Sequence, residues 1–188
     1  MPKSTRGDSR VIALLRGVNV GGNNKLPMAT LREICASMGL NDTATYIQSG
    51  NIVFTTTRKD LPKLATDLEL AIQAQFGFRP AVILRTAAEL AAVIAASPFA
   101  GRANLNPGYL VVTFYPHDPG DEARRKLMAL DHSPEELHAL NRETYVYFAN
   151  GQGQTKMKFN AIDKILGAPG TGRNWNTVNK LLEMATAL

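Results

Sequence analysis

The residues best equipped for chemistry in this chain lie in turns. In RGVNVGGNNKLP, positions 16–27, Gly17 and Gly22 have the first spacing of a phosphate-binding loop. Such a loop needs a lysine directly after the second glycine and then a serine or threonine, so that backbone N–H groups, ammonium and metal-binding hydroxyl meet the phosphates together. Here Lys25 comes two places late and Leu26 stands where the hydroxyl belongs, and the dinucleotide pattern GxGxxG is absent. The usual nucleoside triphosphatase reading therefore fails. The loop can still hold an anion at the start of the next helix, through Lys25 and open N–H groups.

Other constellations are equally bare. His117, His132 and His138 are spread along the chain without a companion at ligand spacing, and a single cysteine, Cys35, is present, so no metal site is expected. Cys35 falls on the apolar stripe of its helix and reads as core. The chain is instead rich in amides at turns: Asn19, Asn23, Asn24, Gln48, Asn51, Gln152, Gln154, Asn174 and Asn176 stand beside Arg16, Lys25, Lys156, Lys158 and Arg173. Asparagine is an ordinary turn and cap residue, which accounts for many of these without a ligand. Trp175, the only tryptophan, sits between two asparagines and is either core or a stacking platform beside Arg173.

The elements that must position these residues follow from periodicity. VIALLRGV (11–18) reads as a buried strand, and 27–38 as a helix with Leu31, Ile34, Cys35 and Met38 on one face and Gly39 as its stop. TYIQSGNIVF (45–54) gives a hairpin around Ser49-Gly50. Asp60, Pro62 and Gly77 frame a helix over 60–77, AVILR (81–85) is a strand, and Thr86 with Glu89 forms a capping box opening a helix over 86–98. Strand, helix, strand, strand, helix, strand is the ferredoxin-like order. The Gly/Pro/Asn-rich segment 97–108 is the expected linker. After it come a strand at 109–115, a helix at 121–130, a strand pair through EELHAL and 144–149, a short helix at 160–167 capped by Asn160, and a last helix entered from a Gly/Pro loop near Asn174 with RNWNT in its first turn. The expected organisation is a flexible tail over 1–10, a ferredoxin-like subdomain over 11–98, and a related α+β subdomain over 99–188, with mainly antiparallel sheets.

At 188 residues, 45% hydrophobic and 20% charged, the composition is that of a globular protein of one domain or two small halves, neither disordered nor fibrous. The apolar run 11–15 is too short for a signal-peptide core or membrane span, and a lone cysteine suits a reducing compartment, so a soluble, cytoplasmic protein is expected. The net charge of +5 is uneven. Residues 1–40 hold six Lys/Arg against two Asp/Glu and residues 150–188 hold five against two, whereas the middle is slightly acidic. Basic ends that met in space would form a basic face.

Three segments carry a resemblance. ALLRGVNVGGNNKLPMATLREICASMG, TYIQSGNIVF and TGRNWNTVNKLLEMA together resemble the bacterial domain of unknown function 1697 family. The resemblance implies two ferredoxin-like subdomains and no established activity. It places Arg16, Asn19, Gly21, Gly22, Lys25, Gln48, Ser49, Gly50, Asn51, Lys156, Arg173, Asn174, Trp175 and Asn176 at signature positions. Thr155-Lys156 replaces the family's usual Ser-Lys, and Asn24 is a further departure.

The expected function is a binding module. Arg16, Lys25, Lys156 and Arg173 would supply charge, Asn19, Gln48, Ser49, Asn51, Asn174 and Asn176 orientation, and Trp175 a flat face, for an anionic ligand such as a nucleotide or nucleic acid. No cofactor and no membrane partner are expected. The alternatives are a metal-independent enzyme acting on a phosphorylated small molecule, and a polar signature that merely joins the two halves. No RNA-recognition signature of the KGFGFVxF kind is present.

Overall fold

The computed structural model describes residues 8–187. Of the tail expected over 1–10, residues 1–7 lie outside the described residues, and Ser9 and Arg10 already belong to the first strand. The chain divides into two compact units, Met1–Leu90 with Leu181–Leu188, and Ala91–Lys180.

The first unit runs β1 (Ser9–Leu15), α1 (Met28–Ser37), β2 (Asn41–Tyr46), β3 (Asn51–Thr56), α2 (Leu61–Phe76) and β4 (Val82–Thr86). Its sheet has the order β2-β3-β1-β4 and every pairing is antiparallel. The period-two pattern of β1 sends Val11, Ala13 and Leu15 to one face. There they join Ile52, Phe54, Val82 and Leu84, and Leu31, Ile34 and Cys35 of α1 with Leu64, Leu68 and Ile72 of α2 close the core. Each fully buried leucine contributes about 1.5–3 kcal/mol. Asp60 caps α2 by accepting from the Lys63 N–H at 2.9 Å, and Gly77 ends it at φ 74°, as the sequence pattern requires. Burial pushes the Cys35 thiol up to about 12, consistent with a packing role.

The second unit repeats the plan with β5 (Leu110–Phe114), α4 (Gly120–Met128), β6 (Glu136–Leu140), β7 (Glu143–Tyr147), α5 (Phe159–Leu166) and β8 (Thr171–Asn174). The sheet order is β6-β7-β5-β8, again antiparallel throughout. Val111, Leu137, Val146 and Phe148 pack against Leu127 of α4 and Ile162 and Leu166 of α5. Two further helices, α3 (Ala87–Ala95) and α6 (Trp175–Ala187), each follow a fourth strand directly, and the boundaries between the units fall inside them.

Three local expectations change. Thr171–Asn174 is a strand, where a loop and helix start were expected; four residues without apolar alternation become β8 because β5 supplies the pairing, Val112 opposite Arg173 and Val111 opposite Asn174. Asn160 is not the cap of α5: the helix starts at Phe159 and its cap position, Lys158, makes no side-chain cap hydrogen bond. The segment 97–108, expected as a linker, lies within the second unit. Ser97 and Phe99 are buried, so that stretch packs as part of the unit.

Candidate functional site

In the first unit, Arg16–Lys25 and the β2–β3 turn, residues 47–50, form one loop cluster centred on Asn19. The Asn19 side chain accepts from the Leu26 N–H at 2.8 Å and donates to the carbonyls of Leu26 and Gln48 at 2.9 and 2.8 Å. Its own backbone takes φ 54°, a left-handed conformation that asparagine tolerates better than most residues. Asn24, at φ 49°, closes the same loop by donating to the Gly17 carbonyl at 2.9 Å. Gly50 shows why the turn needs glycine: at φ 70° a Cβ would lie 2.5 Å from Val18 Cγ2 and 2.7 Å from Leu15 Cβ. Its carbonyl accepts from the Leu15 N–H at 2.8 Å, fixing the hairpin to the end of β1. Asn51 is wholly buried and donates to the Tyr46 carbonyl at 3.0 Å. Arg16, Lys25, Gln48 and Ser49 are exposed around this cluster, with the apolar side chains of Val20 and Ile47 exposed beside them.

In the second unit the expected residues separate. Arg173 is buried and donates through Nη1 to Thr171 Oγ1 at 2.7 Å and to the Gly172 carbonyl at 2.8 Å. Burial pulls its guanidinium down to about 10, which leaves it charged at neutral pH. Asn174 donates to the Gly108 carbonyl at 2.7 Å and accepts from the Asn176 N–H at 3.0 Å, so it caps the first turn of α6, where Trp175 is half-buried and Asn176 exposed.

Lys156 lines a cavity of about 640 Å³ between the turn after α4 and the start of α5. Lys158, Thr155, His132, Asp131 and Glu135 share its wall. The two carboxylates face backbone: Asp131 accepts from the Ser133 N–H at 2.9 Å, a bond that holds its carboxyl below the usual range, and Glu135 accepts from the Ala149 N–H at 2.8 Å. Neither lysine has an ion-pair partner among the described residues. No described residue accepts from the N–H groups of Phe159 and Asn160 at the uncapped start of α5, where the helix dipole adds positive potential. Among the described residues no group of three or more His, Cys, Asp or Glu could hold a metal ion, and no helix is long and apolar enough to cross a membrane.

Sequence reading missed two kinds of residue. His132, Asp131 and Glu135 reach the Lys156 cavity only through tertiary folding, and nothing in their spacing announces it. Arg85, 1% exposed on β4, was legible as a charge inside an otherwise apolar strand. It pairs opposite Ile12 as Arg173 pairs opposite Val112, and each arginine precedes a cap residue, Thr86 or Asn174, that opens the next helix. The fourth strands of the two units thus place an arginine and a cap residue at corresponding positions.

Two βαββαβ units, each with its first strand central between the third and fourth, define a two-unit α+β protein of ferredoxin-like type. The chain belongs to the family described as Protein of unknown function (DUF1697), whose model matches residues 9–145. Lys156 and Arg173–Asn176 lie beyond that match. The chain is also similar to a solved conserved bacterial protein of Streptococcus pneumoniae, at 26% identity and a TM-score of 0.74, over 95% of this chain and 99% of that one. None of the curated proteins matches.

Proposed function

We propose that the protein is a binding module and that the cavity of its second unit accepts a phosphorylated small molecule of mononucleotide size. The observation that carries this reading is the pair Lys156 and Lys158, without carboxylate partners among the described residues, on the wall of a cavity of about 640 Å³ that Ala161 and Ile162 of α5 also line. A phosphate there meets two ammonium groups, each hydrogen bond to a charged group being worth about 1.5–3 kcal/mol. The volume lies within the range of roughly 300–1,000 Å³ usual for small-ligand pockets. A discrete cavity favours a discrete ligand over a nucleic-acid strand, which is held along a basic groove with stacked bases.

Titration calorimetry with adenosine monophosphate, ribose 5-phosphate and inorganic phosphate tests the reading. Wild type binds at least one of them in a salt-sensitive way, and the Lys156→Ala/Lys158→Ala double variant weakens that binding by roughly tenfold or more, while Lys25→Ala leaves it unchanged. Binding that survives the double variant and is lost with Lys25→Ala would move the site to the first unit.

His132 favours a second reading, an enzyme acting on such a ligand. Its Nε2 lies 2.9 Å from the Leu127 carbonyl, which can only accept, so the neutral ring carries its proton on Nε2 and leaves Nδ1 as an acceptor on a residue of the cavity wall. That group is a candidate general base. Phosphate release or transfer from a bound ligand that disappears with His132→Ala, binding being retained, would establish it; binding without turnover under all conditions keeps the binding module.

A further inference from the structure

A second, smaller cavity of about 360 Å³ in the second unit has different chemistry. The stretch expected as a linker forms most of its wall, through Ser97, Phe99, Arg102 and Leu105, with Leu110 of β5 and Trp175 of α6 completing it. Three features make this a built feature of the fold. First, Phe99 is buried and anchors the segment, its ring 5.4 Å from His138 in an edge contact and 6.1 Å from Tyr147. Second, Arg102 is oriented from both sides. Its guanidinium lies 5.2 Å from the Phe99 ring centroid, and Nη1 donates to both oxygens of Glu136 at 2.8 and 2.7 Å. Glu136 in turn receives His138 Nε2 at 3.0 Å, and these partners hold its carboxyl below the usual range. Third, Asn174 fixes Trp175 against the opposite wall, since one side chain caps α6 and reaches the Gly108 carbonyl.

The donors left open have a common character. No described residue accepts from the Trp175 indole N–H or from the Nε and Nη2 of Arg102. An indole and a guanidinium are both flat, both offer a π or cation–π face, and both donate in plane. A partner that satisfies them is flat and carries acceptors at its edge. We propose that this cavity binds a planar heteroaromatic ring with hydrogen-bond acceptors, of the size of a purine, stacked on Trp175 and oriented by Arg102. Asn174 is a positioning residue for this site, acting through Trp175. The proposal stands independently of the lysine cavity, which takes charge and shares none of these lining residues.

The test uses the uncharged nucleoside adenosine and, separately, inorganic phosphate, on the full chain. Because Trp175 is the sole tryptophan, its emission reports the site directly. Adenosine is expected to quench it saturably, whereas inorganic phosphate does not. By calorimetry, Trp175→Ala weakens adenosine binding by tenfold or more, Trp175→Phe keeps it within threefold because a flat face remains, and Arg102→Met weakens it by an intermediate factor. Circular dichroism and the melting temperature identify a variant that has lost its fold, in which case Trp175→Phe and Leu105→Phe, which narrows the cavity, decide the question. Failure of adenosine to bind wild type, or binding unaltered in both Trp175→Ala and Leu105→Phe, overturns the proposal. Adenosine binding lost with Lys156→Ala/Lys158→Ala but kept in Trp175→Ala would also overturn it, placing the ring in the larger cavity. Adenosine binding without any phosphate or phosphorylated ligand binding would leave this site standing and remove the lysine-cavity reading alone.

Discussion

The two units share strand order, strand direction and a buried arginine on the fourth strand, yet they use polar residues differently. In the first unit the signature amides Asn19 and Asn51 are engaged with backbone: Asn19 holds Leu26 and the Gln48 carbonyl, and Asn51 holds Tyr46. In the second unit Lys156, Lys158 and the indole of Trp175 have no partner among the described residues and line cavities. The second unit thus carries open donors beside internal ties such as Arg173 and Asn174, whereas Asn19 and Asn51 of the first unit are ties. A residue's position in a motif does not say which of the two it is; its partners do.

Four substitutions or conditions sharpen that contrast. The largest expected effect is at Gly50, where a Cβ meets Val18 and Leu15 and the backbone is left-handed. Gly50→Ala should lower unfolding free energy by on the order of 3 kcal/mol, read from urea denaturation. Gly21→Ala, at φ 58° with open space around it, should cost only about 1–2 kcal/mol. Next comes Asn19→Ala, which leaves the Leu26 N–H and two carbonyls without their side-chain partner. It should cost about 1–3 kcal/mol and make the 17–26 loop a faster site of proteolysis. A cost for Gly50→Ala no larger than that for Gly21→Ala would break the claim that the close approach at Gly50 holds the turn.

Third is a pH effect. Cys35 binds its proton more tightly folded than unfolded, its thiol moving from 9.0 to about 12. A group whose folded value is raised stabilises fully below its unfolded value and loses that contribution as pH rises toward the folded one. Stability should therefore fall between pH 9 and 12, by roughly 1 kcal/mol per unit in the lower part of that window. Urea midpoints across that range should show a flatter decline in Cys35→Ala. The smallest effect on stability belongs to Lys156→Ala/Lys158→Ala, within about 0.5 kcal/mol, because these side chains hold no partner among the described residues. A large loss of stability there would mean the lysines are internal ties like Asn19.

The βαββαβ plan of the first unit was legible because its signals are local: the alternation of β1, the Asp60 cap with Gly77 stop, and the Thr86–Glu89 capping box, which the structure shows with Thr86 Oγ1 accepting from the Glu89 N–H at 3.1 Å. The second unit was less legible because its fourth strand, Thr-Gly-Arg-Asn, has no apolar period and exists only by pairing with β5. The segment 97–108 read as a linker since Gly, Pro and Asn dominate it. Only burial of Phe99 and the Arg102–Glu136 pair, partners 34 residues apart, show it as cavity wall. For the site, residue types were readable while their partners were not. Asn19 and Lys156 look equally functional in a motif, and the side chain of one is saturated by backbone while the other has no partner among the described residues.

The most direct measurement follows the amide signals of Phe159 and Asn160 by NMR during titration of the labelled protein with adenosine monophosphate. If the lysine cavity is the anion site, these two N–H signals shift saturably and together, since they lie between the wall residues Lys158 and Ala161, and the shifts vanish in Lys156→Ala/Lys158→Ala. Shifts confined to residues 16–25 and 47–50, or none at either helix-start amide at saturating ligand, would contradict it.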